Sequence, residues 1–271
     1  MGNQCSDSQS TKITDSQFGD INQTFNTGQN TYDTVFYNFE SFKELEIERV
    51  KNHWEAIKEL PSEHIVKPQS IREEKNKVLF IPRYSLTIDF TKYDRNIEDY
   101  ANDFLKHNPL VPEIIILNVI SDVMDAMVAL FKEGIRHENI SPQTIFIDYN
   151  NNWILATPNY KTVNLVSRAD ESEKPVKFLI AEEVANSQFY DPFSADMFSF
   201  GITVLHILSP LSTEAQNRYL DQRDVDRLIE AIRPYYSTHL IKLIKSMTFV
   251  EKSRRSHILE IMKMINTLRD V

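Results

Sequence analysis

The amino-acid sequence predicts an α+β protein built in two parts, a small β-rich part and a larger, mostly helical part. Short runs rich in β-branched and aromatic residues dominate residues 18–88, with one amphipathic helix among them. From residue 89 to residue 271, apolar residues recur mainly with helical spacing. A polar arm, residues 1–17, precedes both parts and has too few apolar residues to form a core of its own.

The small part is predicted to hold four strands and one helix. The helix is expected at 40–60, because apolar residues from Leu45 to Leu60 recur mostly every three or four positions and Pro61 follows its end. Residues 26–30 and the charged residues 73–76 are expected to form turns. The strands are predicted at 18–25, 31–39, 65–72 and 77–88.

The large part is predicted to be helical except for two short strands, 145–147 and 153–155, and a polar loop over 158–177. The segment 113–132 is long and mostly apolar, so it should be a buried helix, and Gly134 fits its C-terminal cap. The helices are expected at 97–107, 113–132, 194–208, 222–232, 236–248 and 255–268.

Composition excludes several functional classes. The formal net charge of −9 disfavours nucleic-acid binding, because phosphates would be repelled. Cys5 is the single cysteine, so no internal disulfide can form and a reducing compartment is expected. The histidines show no ligand spacing, so neither a metal nor another cofactor is expected. Polar residues interrupt every apolar run before the ~20 residues that a membrane helix needs.

The five glycines of the chain are all widely spaced. Gly-rich phosphate loops need clustered glycines, because backbone N–H groups can approach a phosphate closely only where no Cβ intervenes. An intact loop of this kind is therefore excluded.

Several motifs resemble those of eukaryotic protein kinases. Residues 134–147, GIRHENISPQTIFI, resemble the catalytic loop H-R-D-L-K-P-x-N and the strand after it. Residues 195–201, ADMFSFG, resemble the D-x-W-S-x-G start of a buried helix. Residues 181–183, AEE, stand where A-P-E is expected, and residues 254–261, RRSHILEI, are similar to the closing R-P-[ST]-A-x-E-[IL]-L segment. The resemblance implies a bilobal protein-kinase-like fold, with residues 18–88 as the N-lobe and 89–271 as the C-lobe.

The resemblance also identifies the positions where phosphoryl transfer needs a lysine, a base and two metal ligands. At these positions the chain carries neutral residues: Asn38 replaces the ATP-binding lysine, Asn139 the catalytic aspartate, and Thr144 and Thr157 the metal ligands. An amide has no positive charge for phosphates, and it cannot accept a proton as a carboxylate does. Two further positions are altered, with Ser141 in place of the catalytic-loop lysine and His53 near the place of the helix glutamate.

The scaffold residues of the family are, by contrast, present. The resemblance implies that His137 ends an internal hydrophobic column and that Asp196 binds the backbone of the catalytic loop. It also implies a buried ion pair between Glu183 and Arg254. The sequence therefore predicts a pseudokinase, in which the kinase architecture is kept and the chemistry is lost.

The first six residues, MGNQCS, fit the N-myristoylation pattern with Gly2 as the acceptor. Cys5 is placed for palmitoylation, and two acyl chains would give a stable membrane anchor where one gives only marginal binding. A chance match at the start of a polar tail is the alternative.

We therefore expect a catalytically inactive domain that binds other proteins, in the cytoplasm or attached to a membrane through its N-terminus. Two alternatives stay open. The first is a structural component of a large cytoskeletal or ciliary assembly, to which the polar arm would bind. The second is an active Ser/Thr kinase with unusual chemistry, which would need a replacement cation and carboxylate.

Overall fold

The chain divides by its internal contacts into two units, residues 1–60 with 67–92 and residues 61–66 with 93–271. A computed structural model describes residues 21–23, 32–39, 44–78, 81–157, 177–186 and 190–269. Within these residues the first unit is a sheet with one helix and the second is mainly helical. The α+β class, with a small β-rich part before a larger helical part, is thereby confirmed.

The first unit is built on a four-stranded antiparallel sheet in the order β1-β2-β4-β3. The two middle strands, β2 and β4, pair from Tyr32 opposite Thr91 to Phe39 opposite Tyr84. The strands are β1 (Ile21–Gln23), β2 (Tyr32–Phe39), β3 (Pro68–Val78) and β4 (Ile81–Thr91).

The turn predicted at 73–76 was wrong, because these residues lie inside β3 and pair with β4. Glu73, Glu74 and Lys75 have exposed side chains, so the strand leaves their charges in water while its backbone stays paired. The Lys75 ammonium lies 5.2 Å from the centroid of the Tyr84 ring on β4. Charged residues thus mark a solvated stretch of strand here rather than a turn.

One helix, α1 (Glu44–Lys58), accompanies the sheet. Its apolar face is buried, and the Trp54 ring meets the Phe90 ring of β4 edge-on, with the centroids 5.2 Å apart. Apolar burial at three- and four-residue spacing therefore produces the helix that the sequence predicts. It ends at Lys58, two residues before the predicted end.

The second unit contains the remaining helices and a short hairpin. The predicted bounds agree with the observed ones to within three residues. The elements are α2 (Ile97–Leu105), α3 (Glu113–Lys132), β5 (Ile145–Ile147), β6 (Trp153–Leu155), α4 (Glu182–Asn186), α5 (Pro192–Leu208), α6 (Thr213–Gln216), α7 (Gln222–Ile232), α8 (Thr238–Met247) and α9 (Ile258–Arg269).

Helix α3 forms part of the core of the second unit. By length and apolar composition it is the one helix among the described residues that could cross a membrane, which corrects the expectation that no segment reaches that length. Isolated polar residues such as Asn118 interrupt the apolar run, but they leave the mean hydropathy of the helix high. Its apolar side chains, from Ile116 to Leu130, are largely buried within the unit, as in a core helix.

Helix α5 packs so closely on α8 that Gly201 has no room for a side chain. A Cβ at Gly201 would lie 2.6 Å from Cγ2 of Thr248 and 2.9 Å from Cβ of Met247. This close contact fixes the position of α5 against α8, and with it the position of the polar residues in the first turns of α5.

Residues 61–66 belong to the second unit although they interrupt the first. Ser62 Oγ donates to Asp125 Oδ2 on α3 at 2.6 Å. The N–H of Val66 donates to the Leu155 carbonyl, and the N–H of Leu155 donates to the His64 carbonyl, both at 2.8 Å. These bonds add a short parallel bridge beside β6 that the sequence did not predict.

Candidate functional site

The candidate site is centred on the loop at 135–144, which follows α3. The chain leaves the helix through Gly134, whose φ of +67° suits a residue without a Cβ. The N–H of Ile135 then donates to the Leu130 carbonyl at 2.9 Å and closes the helix end. The loop ends in a 3₁₀ turn, Pro142–Thr144, that leads into β5.

The side chain of Asp196, in the second turn of α5, binds the backbone of the loop, as the resemblance implies. Its Oδ2 accepts the N–H of His137 at 2.9 Å, and its Oδ1 accepts the N–H of Glu138 at 2.7 Å. Glu138 has a φ of +57°, a conformation that a residue with a Cβ adopts only under constraint. Burial raises the pKa of Asp196 to about 7, against the effect of the two N–H donors.

His137 is 1% exposed and uses both ring nitrogens. Its Nε2 lies 2.8 Å from the Ala156 carbonyl, and its Nδ1 lies 3.2 Å from the N–H of Asn139. Because a carbonyl can only accept, Nε2 carries the proton and Nδ1 accepts. Burial lowers the pKa of His137 to about 4, so the ring is neutral at pH 7 and serves as a link between the loop and the end of β6.

Asn139, Ser141 and Thr144, which the resemblance places at the positions of the catalytic aspartate, lysine and asparagine, carry neutral side chains. Asn139 is exposed, whereas Ser141 is buried. The Thr144 hydroxyl accepts the N–H of Ser141 at 2.9 Å and lies 3.0 Å from the carbonyls of both Asn139 and Ser141. The hydroxyl therefore stabilises its own 3₁₀ turn through hydrogen bonds to the backbone.

Thr157, which the resemblance places at the position of the D-F-G aspartate, is also bound to the backbone. Its hydroxyl donates to the Val66 carbonyl at 2.6 Å. This bond ties the end of the β6 segment to residues 61–66. Among the residues that the structure describes, no group of three or more His, Cys, Asp or Glu side chains is placed to hold a metal ion.

Asn38 and His53 lie in the first unit. Asn38 is in β2, opposite Ser85 of β4. His53 is on α1, where burial lowers the pKa of its imidazole. The lipidation candidates Gly2 and Cys5 lie outside the described residues.

The prediction that Arg254 pairs with Glu183 was wrong, because Arg255 makes this ion pair. Nη1 of Arg255 lies 2.7 Å from Glu183 Oε1 and also donates to the Ser194 carbonyl at 2.7 Å. Its Nε donates to the Phe249 carbonyl at 2.9 Å. The 3₁₀ turn Lys252–Arg254 ends before Arg255, whose extended backbone directs the side chain inward, while Arg254 stays exposed.

Sequence reasoning missed a second carboxylate beside Asp196. The side chain of Glu138 is 7% exposed, and its Oε1 accepts the Tyr190 hydroxyl at 2.6 Å. Arg136 Nη1 lies 3.4 Å from the same oxygen. Burial and this hydrogen bond raise the pKa of Tyr190. The sequence does show an acidic residue, Glu138, between His137 and Asn139. It gives no sign of the contact with Tyr190, because the two residues are 52 positions apart.

Replacing Asp196 by alanine should destabilise the protein by roughly 2–4 kcal/mol, because two buried N–H groups lose their acceptor. Burial disfavours the charged form, with a pKa of about 7 against 3.8 for the unperturbed group, so the stabilisation by wild-type Asp196 decreases as pH rises through this range. The cost of the substitution should therefore be smaller at pH 8 than at pH 5. Urea unfolding at both pH values measures it.

The matched control is Asp191→Ala, which removes a carboxylate that caps the first turn of the same helix. It should cost about 1 kcal/mol, the usual value for a lost N-cap. An Asp196→Ala cost no greater than this control, or one that grows from pH 5 to pH 8, would contradict the interpretation of the buried carboxyl.

Comparison with known proteins identifies the family. A family model described as Protein kinase domain matches residues 11–265. The chain is 22% identical to the serine/threonine-protein kinase PKH2 of Candida albicans over 93% of its own length. It is 28% identical, over 54% of its length, to the membrane-associated tyrosine- and threonine-specific cdc2-inhibitory kinase wee-1.3 of Caenorhabditis briggsae.

The chain spans only 28% and 22% of the length of these two relatives. The family match, in contrast, covers nearly the whole chain and agrees with the α+β organisation and with the Asp196 contact to the loop. The chain belongs to the protein kinase domain family.

Proposed function

We propose that this protein kinase domain is catalytically inactive and acts by binding other proteins. The observation that carries the proposal is the use of the Thr157 hydroxyl, at the position of a metal-binding aspartate, as a donor to the Val66 carbonyl at 2.6 Å. A hydroxyl is a poor ligand for Mg²⁺ compared with a carboxylate, and this one already has a backbone partner.

The other chemical positions support the same conclusion. Phosphoryl transfer needs a base for the attacking hydroxyl, and Asn139 offers an amide there. Thr144, at the second metal position, has its hydroxyl within the hydrogen bonds of its own turn. With Asn38 in place of the lysine and Thr157 in place of the aspartate, the positive charge for the phosphates and the carboxylate for Mg²⁺ are both missing.

The contacts of Asp196 and Arg255 that stabilise the fold do not involve the altered positions, which supports a domain that is stable without phosphoryl transfer. Asp196 accepts an N–H group of the loop, and Arg255 binds Glu183 together with the carbonyls of Ser194 and Phe249. Removing one partner of such a buried pair would cost roughly 3–5 kcal/mol. A stable kinase-like surface without phosphoryl transfer is suited to protein binding.

One alternative has its own support, which is that both relatives are named as kinases. An active enzyme would need a carboxylate and a cation that substitute for the missing ones. Glu138, the buried carboxylate of the loop, is already bound to Tyr190 and Arg136. We therefore favour the inactive domain.

We also propose that Gly2 and Cys5 carry acyl groups that attach the domain to a membrane, on the basis of the N-terminal pattern. Mass spectrometry of the N-terminal peptide from native material should find the myristoylated glycine. An unmodified Gly2 in membrane-associated and soluble fractions alike would contradict this part of the proposal.

Addition of ATP with Mg²⁺ should leave the thermal unfolding midpoint of the purified protein unchanged. Binding at 100 times the dissociation constant would add about 2.7 kcal/mol, which would raise the midpoint by several degrees. Differential scanning fluorimetry with ATP alone, Mg²⁺ alone and both together measures the effect. A shift that requires both ATP and Mg²⁺ would contradict the proposal.

The matched control is a variant in which the four positions are restored, with Asn38→Lys, Asn139→Asp, Thr144→Asn and Thr157→Asp. This variant should gain a Mg²⁺-dependent midpoint shift that the wild-type protein lacks. A wild-type shift equal to that of the restored variant would show that the four residues do not decide nucleotide binding.

A further inference from the structure

Four ionisable side chains meet where the loop at 135–144 contacts the start of α5. They are Arg136, Glu138, Tyr190 and Asp196, and we call them the four-residue cluster. Glu138 connects its members, because its N–H donates to Asp196 Oδ1 at 2.7 Å while its Oε1 accepts the Tyr190 hydroxyl at 2.6 Å. The cluster therefore attaches the loop both to α5 and to the residue two positions before this helix.

The acidic groups of the cluster are more deeply buried than its cation. The side chain of Glu138 is 7% exposed and Asp196 is 4% exposed, whereas the side chain of Arg136 is 37% exposed. The other elements packed around Asp196 add no charge, because they present the neutral ring of His137 and apolar side chains. These apolar residues are Met127, Leu130, Ile135, Phe193 and Ile258. With both carboxyl groups ionised, two buried negative charges would share one partly exposed arginine, which is unfavourable.

Glu138 also has a buried oxygen without a donor. Its Oε1 is bonded to Tyr190, but among the residues that the structure describes no group donates a hydrogen bond to its Oε2. A buried acceptor left in this state costs free energy. One proton retained by the cluster would reduce the excess negative charge and provide a donor. Burial raises the pKa of Asp196 to about 7 against the effect of its two N–H donors, and the Glu138 charge adds to the rise.

We propose that the four-residue cluster is a pH-controlled contact, in which one proton held by the carboxyl groups of Glu138 and Asp196 keeps the loop attached to α5 and loss of that proton detaches it. Detachment exposes both carboxylates to water and leaves α3 folded. It also releases Glu138 from its φ of +57°, a conformation that costs free energy for a residue with a Cβ. The proposal is independent of the proposed function, because the contact needs neither nucleotide nor phosphoryl transfer.

The direction of the pH response follows from the raised pKa of Asp196 in the attached state. A carboxyl group exposed by detachment would return to the unperturbed pKa of 3.8, so detachment releases one proton between about pH 4 and pH 7. The equilibrium constant for detachment should therefore rise by up to about tenfold per pH unit over this range. Above pH 7 it should level off.

Hydrogen–deuterium exchange of the full chain, followed by mass spectrometry from pH 5 to pH 8 and corrected for the intrinsic exchange rate, tests the proposal. Peptides that cover residues 134–144 should lose protection by about tenfold per pH unit up to pH 7. Peptides from the buried part of α3, residues 116–130, should keep theirs. A loop whose protection does not change with pH would overturn the proposal. A loss that α3 shares equally would also overturn it, because this would be global unfolding.

Two charge variants test whether the carboxyl groups of the cluster cause the pH response. Glu138→Gln removes one negative charge, so the pH at which the loss of protection levels off should fall by roughly half to one unit. Arg136→Gln removes the compensating cation and should raise this pH by a similar amount. Shifts in the same direction, or no shift in either variant, would overturn the proposal.

Arg233→Gln is the matched control, because Arg233 is a half-exposed arginine of the same unit that pairs with Glu230. It should leave the pH response of the loop unchanged, and a shift equal to that of Arg136→Gln would count against the cluster. Tyr190→Phe should increase detachment at pH 6 by about tenfold, since a hydrogen bond to a carboxylate is lost. Unchanged protection in Tyr190→Phe would overturn the role of this residue. Where a variant does not fold, the pH dependence of the wild-type protein decides the proposal.

Discussion

The loop at 135–144 depends on one carboxyl group, that of Asp196, which lies buried in α5 and accepts two backbone N–H groups of the loop. These bonds hold Glu138 in a left-handed conformation, and the side chain of the preceding residue, His137, is buried. The neutral His137 ring then connects the loop to the Ala156 carbonyl, one residue before Thr157. A single buried side chain thus positions the backbone next to Asn139 and, through His137, the backbone next to Thr157.

The proposed inactivity rests on a contrast between the residues that stabilise the fold and the residues at the positions that the resemblance assigns to catalysis. The supporting contacts are fully formed, since Arg255 alone binds Glu183, the Ser194 carbonyl and the Phe249 carbonyl. At the reacting positions, the hydroxyls of Thr144 and Thr157 are bonded to backbone groups. In an active enzyme an asparagine amide oxygen and an aspartate carboxylate would bind metal ions at those positions. The proposed function follows from this division of roles.

Much of the fold could be predicted from the sequence, because buried helices carry a strong periodic pattern. The bounds of α3 and α7 agree with the prediction at both ends. Local charge misled the prediction of a turn at 73–76, since a strand can keep charged side chains in water while its backbone is paired. The choice between Arg254 and Arg255 could not be made from sequence, because it depends on where a 3₁₀ turn ends. The Tyr190–Glu138 bond joins residues too distant in the chain for any local pattern to connect.

The central claim is that the domain does not transfer phosphate, and the most direct measurement is incubation of the purified chain with γ-labelled ATP, Mg²⁺ and general protein substrates. The account predicts label incorporation no higher than that of the protein-free control, both into substrate and into the chain itself. Incorporation that rises in proportion to the amount of wild-type protein, and that is lost in an Asp196→Ala variant shown to be folded, would contradict it.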